Sequence, residues 1–207
     1  MPIQAPLRGL LLTGLQLWVT LAFTSEMTSA QTSGGVRIDG KTPLASKDAA
    51  ATPTSFPLEI KSGDRVVFVG NTLLDRAQYF AYFETLLQQA HAAKNLRVRT
   101  LAWSADEIDL APRPANFGSQ QQHLRVQQAD VIFAAYGFNE SFRGPSGVAD
   151  FRQRLDQFLA SLKTMAFNGK TGPRIVLISP IANEDVEGVI AGQRNNTNLQ
   201  AYTSAMQ

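Results

Sequence analysis

The middle of the chain alternates short apolar runs with longer segments in which apolar residues recur at helical spacing. The first run, Val66 to Val69, consists entirely of strand-forming side chains and ends at Gly70. Continuous apolar runs of this kind are typical of strands that are buried on both faces of a parallel sheet. Beyond Gly70, apolar residues three and four positions apart predict a helix over about 75–94.

The same alternation continues towards Gln207. Strands separated by helices pair in parallel and are covered by helices on both faces of the sheet. The sequence therefore predicts an α/β domain of three layers, with a parallel sheet between two layers of helices. The other predicted elements are strands over 96–103, 130–136 and 174–179, and helices over 118–128, 148–167 and 198–206.

The N-terminal residues have a different pattern. Arg8 precedes a short apolar stretch, Gly9 to Phe23, which is followed by polar residues and by small side chains at 28–30. This order is typical of an export signal, and the apolar stretch is short for a permanent membrane span. We therefore predict a signal peptide over 1–30, a secreted or periplasmic protein, and no stable membrane span after cleavage; retention as an anchor is the alternative.

The predicted signal peptide is followed by a segment that is rich in Ser, Thr, Gly, Ala and Pro and has no apolar periodicity. This segment, 31–57, is predicted to be a flexible linker. The regular alternation of strands and helices begins after it, so one folded domain is predicted over 58–207.

Composition argues against several classes of function. The formal net charge is +2, and no dense Lys/Arg run with interleaved aromatic residues occurs, so a nucleic-acid partner is not indicated. The chain has no cysteine, which excludes disulfides, thiolate metal sites and a cysteine nucleophile. Its two histidines lack metal-ligand spacing, and no glycine-rich phosphate-binding motif is present. We therefore predict neither a metal nor a cofactor.

Polar clusters follow three of the predicted strands, at the edge of the sheet where ligands of open α/β sheets bind. The clusters are Gly70-Asn71-Thr72, Ser104 to Glu107, and Gly137 to Ser141. In this order and spacing they resemble the three blocks of the SGNH (GDSL-type) hydrolase family, whose first block is an apolar strand followed by Gly-Asp-Ser. The resemblance covers about 57–207, and the third block, Gly-x-Asn-Asp in the family, is its most specific part.

The resemblance implies a flavodoxin-like hydrolase fold and a role for each matching residue. Thr72 falls at the position of the nucleophile. Ala105 falls where the family has an oxyanion-hole glycine, and Asn139 falls on the oxyanion-hole asparagine. The implied reaction is hydrolysis of a carbohydrate or small-molecule ester, either an O-acyl carbohydrate or a small lipid. The neighbouring positions implied to bind substrate are Gly70, Asn71 and Gly137.

The chain also departs from the family pattern. Thr72 keeps a hydroxyl, although its additional methyl group crowds attack. Ala105 keeps the backbone N–H donor, so the oxyanion hole survives unless this turn requires a positive φ. The family's D-x-x-H block, which supplies the base, is missing, and His91 and His123 lie at unsuitable positions.

Two explanations of the missing base remain open. One is that the C-terminal part of the domain is missing from this sequence, which we favour because no strand follows the last predicted helix. The other is a carbohydrate-binding or protein-binding module that kept the fold and lost its catalytic groups.

Several of these residues also fit purely structural roles. Asn71 and Thr72 fit the capped start of a helix. We interpret Asp106 and Glu107 as the first acidic turn of a helix rather than as an acid/base pair. The remaining residues in this class are the two histidines, expected to be satisfied or at the surface, and four aromatic residues that are predicted to lie in the core: Tyr79, Phe80, Phe83 and Trp103.

Overall fold

The computed structural model describes residue 54 and residues 56–207. The predicted signal peptide and nearly all of the predicted linker lie outside the described residues. Four strands form one sheet, in which every neighbouring pair is parallel and the order is β2-β1-β3-β4. This is the order of the first four strands of a flavodoxin-like sheet, and it confirms the predicted fold class. The strands are β1 Arg65–Gly70, β2 Arg97–Thr100, β3 Val131–Ala135 and β4 Arg174–Ile178.

Helices cover both faces of this sheet, as the three-layer prediction requires. Two of them contribute to the hydrophobic cluster on one face, and the other three contribute to the cluster on the opposite face. No helix in the described part of the chain is long and apolar enough to cross a membrane. The helices are α1 Thr72–Phe80 and α2 Tyr82–Ala90 on one face, and α3 Gln120–Gln127, α4 Val148–Lys163 and α5 Ile190–Ala205 on the other.

The continuous apolar run of β1 is explained by its place between the two layers. Val66 and Phe68 belong to the cluster beneath α1 and α2, whereas Val67 and Val69 belong to the cluster beneath α3, α4 and α5. Side chains alternate between the faces of a strand, so a strand buried on both faces needs an apolar residue at every position.

The single helix predicted over 75–94 is wrong, because the structure divides this segment between α1 and α2. The break lies at Ala81, whose φ of 53° is left-handed and whose N–H donates to the Ala77 carbonyl oxygen. The change of direction lets Phe83 pack edge-on against Phe68 and Phe133, with ring centroids 5.4 and 5.6 Å apart. No glycine or proline marks the break, so the apolar spacing alone did not indicate it.

The last helix begins earlier than predicted, at Ile190 rather than at Asn198. Its first half has little apolar periodicity and is held by side-chain amides instead. Asn196 accepts a hydrogen bond from the Asn183 N–H at 2.7 Å and donates to the Asn183 carbonyl oxygen at 3.1 Å. Buried Asn195 donates to the Ser141 hydroxyl oxygen at 3.1 Å.

Candidate active site

The turn between β1 and α1 brings Thr72 to the carboxyl edge of the sheet. Gly70 has a φ of 117°, and a Cβ atom there would lie 2.1 Å from the Ala135 carbonyl oxygen of β3. The N–H of Asn71 donates to the same oxygen at 3.0 Å, and its side chain caps α1 by accepting from the Leu73 N–H at 3.1 Å. The structural role considered for Asn71 is therefore present, and Thr72 begins the helix beside the end of β3.

The second polar cluster lies directly against Thr72. The Ala105 N–H donates to Thr72 Oγ1 at 3.2 Å, so the donor proposed for the oxyanion hole reaches the proposed nucleophile. Ala105 has a φ of 68°, so this turn does require a positive φ; alanine adopts it here, and its N–H is still directed at Thr72, so the donor is kept. A left-handed backbone costs an alanine roughly 1 kcal/mol, which explains why glycine is suited to this position.

Replacing Ala105 by glycine should raise the free energy of unfolding by about 0.5–1 kcal/mol, because glycine removes the left-handed strain. Thermal or urea unfolding of the full chain measures the change. Ala160, exposed in the last turn of α4, provides the control with a right-handed backbone, since Ala160→Gly should lower stability by about 0.5–1 kcal/mol. Equal losses in both variants would contradict the strain at Ala105.

The third cluster joins the other two through Asn139. The Asn139 side-chain amide donates to the carbonyl oxygen of Asp106 at 3.1 Å, one residue after Ala105. The three residues singled out from the sequence, Thr72, Ala105 and Asn139, thus lie at one place in the fold, linked through a single turn at 104–106.

Two acidic side chains hold this turn from opposite sides. Asp75, one helical turn after Thr72, accepts hydrogen bonds from the N–H and hydroxyl of Ser104 at 3.0 and 2.5 Å. Buried Asp106 pairs with Arg113 through two hydrogen bonds of 2.8 and 2.5 Å. The Arg113 guanidinium also stacks over Trp103, 4.6 Å from the ring centroid. The turn is therefore fixed before any ligand binds.

The acidic helical turn predicted at 106–107 is wrong. Residues 101–119 contain no helix, and both carboxylates form ion pairs instead: Asp106 with Arg113, and Glu107 with Arg143 at 2.6 Å. The sequence placed acidic residues before an apolar residue, which resembles a helix start, but the two carboxylates pair instead with Arg113 of the same loop and with Arg143 after β3.

Glu140 is a residue of this region that the sequence analysis did not single out. Its side chain is completely buried, and it accepts hydrogen bonds from the Gly137 N–H at 2.8 Å and the Ile108 N–H at 3.1 Å. It thereby joins the loop after β3 to the loop after β2, and it occupies the N–H of Gly137. Burial raises the pKa of Glu140, and the backbone donors counteract part of that rise. The signal in the sequence was its position beside Asn139, where the resembling family has aspartate.

The prediction that the four aromatic residues near the site lie in the core is wrong. Tyr79, Phe80 and Trp103 are 74%, 68% and 51% exposed, and Phe83 is 41% exposed although one edge of its ring packs against the sheet. Tyr79 and Phe80 lie at the end of α1, and neither belongs to the hydrophobic cluster that Leu74 of the same helix joins.

Two cavities adjoin the site. The apolar cavity, about 460 Å³ in volume, includes Thr72 in its wall and lies between α1 and the loops that follow β3 and β4. The aromatic cavity, about 590 Å³, lies between α1, the end of β2 and the start of α3. Its wall carries Tyr79, Trp103 and Phe117 together with polar groups of Asp75 and Gln120.

The two histidines lie away from the Thr72 hydroxyl. His123 Nε2 is 2.9 Å from the Phe117 carbonyl oxygen, so its ring is satisfied there, and His91 ends α2. Within residues 54 and 56–207, no group of side chains could hold a metal ion.

Comparisons with known proteins return solved structures only. No family model matches the chain, and no curated protein sequence matches it. An acetyl xylan esterase is 14% identical, with a TM-score of 0.46 over 68% of this chain and 69% of its own. The inhibitor-bound aryl esterase of M. smegmatis is also 14% identical, with a TM-score of 0.46 over 69% of this chain and 79% of its own.

Proposed function

We propose that this domain hydrolyses esters, with Thr72 as the nucleophile. The observation that carries the proposal is the hydrogen bond between the Ala105 N–H and Thr72 Oγ1, beside the turn that also receives the Asn139 amide. A hydroxyl at the start of a helix, next to convergent N–H donors, has the arrangement required for acyl transfer. The site lies between the ends of β1 and β3, where the strand order of the sheet changes direction and ligands of such folds bind.

In the proposed reaction, Thr72 Oγ1 forms a bond to the carbonyl carbon while the carbonyl π electrons move to its oxygen. Three donors can reach that oxyanion: the N–H of Thr72, which has no acceptor within α1, the N–H of Ala105 once it releases Thr72 Oγ1, and the second N–H of the Asn139 amide, whose first N–H donates to Asp106. The bond to the alcohol oxygen then breaks, and the alcohol leaves with the proton that Thr72 gave up. Water finally hydrolyses the acyl-threonine and restores the hydroxyl.

The reaction needs a base that carries the proton from Thr72 to the alcohol. Neither His91 nor His123 contacts the Thr72 hydroxyl, and the sequence resemblance implies an imidazole in this role. Imidazole added to the buffer is therefore a chemical test of the site, because it can replace a missing base only where a nucleophile is in place.

In buffer that supplies imidazole as the base, the chain should hydrolyse p-nitrophenyl butyrate, and Thr72→Ala should lower the imidazole-dependent kcat/KM at least about tenfold, because the nucleophile is lost. Thr72→Ser should keep the activity, since serine lacks only the γ-methyl group. Added imidazole should accelerate the wild type above the background measured with Thr72→Ala. Thr85→Ala, an exposed threonine of α2, is the control that should behave as wild type. Equal rates for wild type and Thr72→Ala would refute the proposal.

A second candidate function is carbohydrate binding without catalysis. The aromatic cavity favours it, because half-exposed Trp103 and exposed Tyr79 stand beside hydrogen-bonding groups, a combination suited to sugar rings. Titration with xylo-oligosaccharides would support this function if Trp103→Ala abolishes binding and Thr72→Ala leaves it intact without turnover. If xylo-oligosaccharides do not bind the wild type, the carbohydrate-binding function is refuted.

A further inference from the structure

We propose that the apolar cavity beside Thr72 binds the acyl chain of the substrate, so that the preferred substrates are esters of apolar acids with several methylene groups rather than acetates. The proposal rests on the proposed function of Thr72 and names the substrate class of that site.

The walls of the apolar cavity are almost entirely hydrocarbon. α1 contributes Leu73, Ala77 and Phe80, and the loops after β3 and β4 contribute Phe138, Pro180 and Ile181. The only charged side chain among the lining residues is Arg76, and none is acidic. Such a surface gains free energy by covering an apolar group and offers little to a sugar or a charged ligand.

The mouth of the cavity carries apolar side chains that remain in contact with water. Phe80 is 68% exposed and Ile181 is 56% exposed, although both belong to the cavity wall. An acyl chain that enters between them removes their surface from water as well as its own. The gain in binding therefore comes from both partners.

The order of bond changes indicates the acyl chain, not the alcohol, as the occupant. The acyl group stays bonded to Thr72 through both steps, whereas the alcohol must leave and be replaced by water. A hydrocarbon-lined space favours the group that stays and disfavours the entry of water. Asp75 and Ser104 hydrogen-bond to each other beside this turn and do not line the apolar cavity, so polar surroundings that suit the departing alcohol lie outside that cavity.

The volume of about 460 Å³ lies within the range of ligand pockets, so it accommodates a chain of several methylene groups. Each buried methylene should raise kcat/KM about fourfold until the cavity is filled, because the free energy of moving one methylene group out of water corresponds to a factor of about four at 25 °C. Octanoate should thus exceed acetate at least about 50-fold when p-nitrophenol is the leaving group in both.

The decisive experiment compares two ester series with the full chain: p-nitrophenyl acetate, butyrate and octanoate, and acetates of methanol, butanol and octanol. We expect a gain along the acyl series. Ala77→Phe should lower the octanoate-to-acetate ratio at least about tenfold, because the new ring occupies part of the cavity and shortens the space for the chain. Ala160→Phe, on the exposed side of α4, should leave that ratio unchanged. A gain along the alcohol series instead would overturn the assignment.

A binding measurement separates failure of this inference from failure of the proposed function. Octanamide should bind the Thr72→Ala variant at least about tenfold more tightly than acetamide, and Ala77→Phe should abolish that preference. If the preference is present and no ester is hydrolysed, the acyl-binding role of the cavity is supported and the catalytic role of Thr72 is refuted. If esters are hydrolysed without any preference for chain length, the catalytic role of Thr72 is supported and the acyl-binding role of the cavity is refuted.

Discussion

Gly70→Ala should destabilise the fold by about 4 kcal/mol or more, enough to unfold a domain of ordinary stability. A Cβ atom at this position would lie 2.1 Å from the Ala135 carbonyl oxygen and 2.8 Å from the carbon of the same group. Both atoms belong to the backbone of β3, which cannot move without breaking the parallel pairing of β1 with β3. Circular dichroism and urea unfolding of the full chain measure the loss.

Gly63→Ala is the matched control for this prediction. Gly63 also has a positive φ, 79°, but a Cβ there meets no atom within 4 Å. We therefore expect a loss of only about 1 kcal/mol from backbone strain, so the difference between the variants isolates the collision with β3. A Gly70→Ala protein as stable as Gly63→Ala would show that β1 and β3 do not approach as described.

Glu140→Ala should lower the free energy of unfolding by about 4 kcal/mol. The substitution leaves the Gly137 and Ile108 N–H groups without their acceptor and opens a cavity where a fully buried side chain stood. Ester hydrolysis should also fall, because the loop that carries Asn139 is no longer tied to the loop after β2. Glu84→Gln, in the exposed part of α2, is the control that should change neither property.

The pH dependence of stability distinguishes the charge of Glu140 from its shape. Burial raises its pKa above the ordinary value of 4.5, so the folded state binds the proton more tightly than the unfolded state. The contribution of this group is therefore complete at low pH and is lost as the pH rises through the folded-state pKa. The stability difference between wild type and Glu140→Gln should shrink as the pH increases above 4.5. A difference independent of pH would contradict the raised pKa.

Much of the fold could be predicted because a strand that is buried on both faces needs an apolar residue at every position. The strands at 66–69 and 131–135 are continuous apolar runs, and their order along the chain with intervening helices sufficed to predict a parallel three-layer domain. The start of α4 at Val148 agrees with its apolar stripe, which packs Phe151, Leu155 and Leu162 into the core. These features depend on local periodicity, which the sequence displays.

The candidate site was found in part for a related reason. Parallel strands bring their carboxyl ends to one edge, so polar clusters after successive strands had to lie close together, and the contacts of Thr72, Ala105 and Asn139 follow that rule. The roles of these residues in catalysis remain predictions. Glu140 escaped notice because its importance lies in two backbone N–H groups that come near it only in the folded chain.

The α/β class, the parallel sheet and the positions of the three polar clusters could be predicted from the sequence, because each depends on the type and spacing of neighbouring residues. The break at Ala81, the ion pair of Glu107 with Arg143 and the exposure of Tyr79, Phe80 and Trp103 could be seen only in the folded chain. These features depend on which distant groups meet after folding. The end of a helix, the partner of a carboxylate and the exposure of an aromatic ring all depend on which other parts of the domain pack against them.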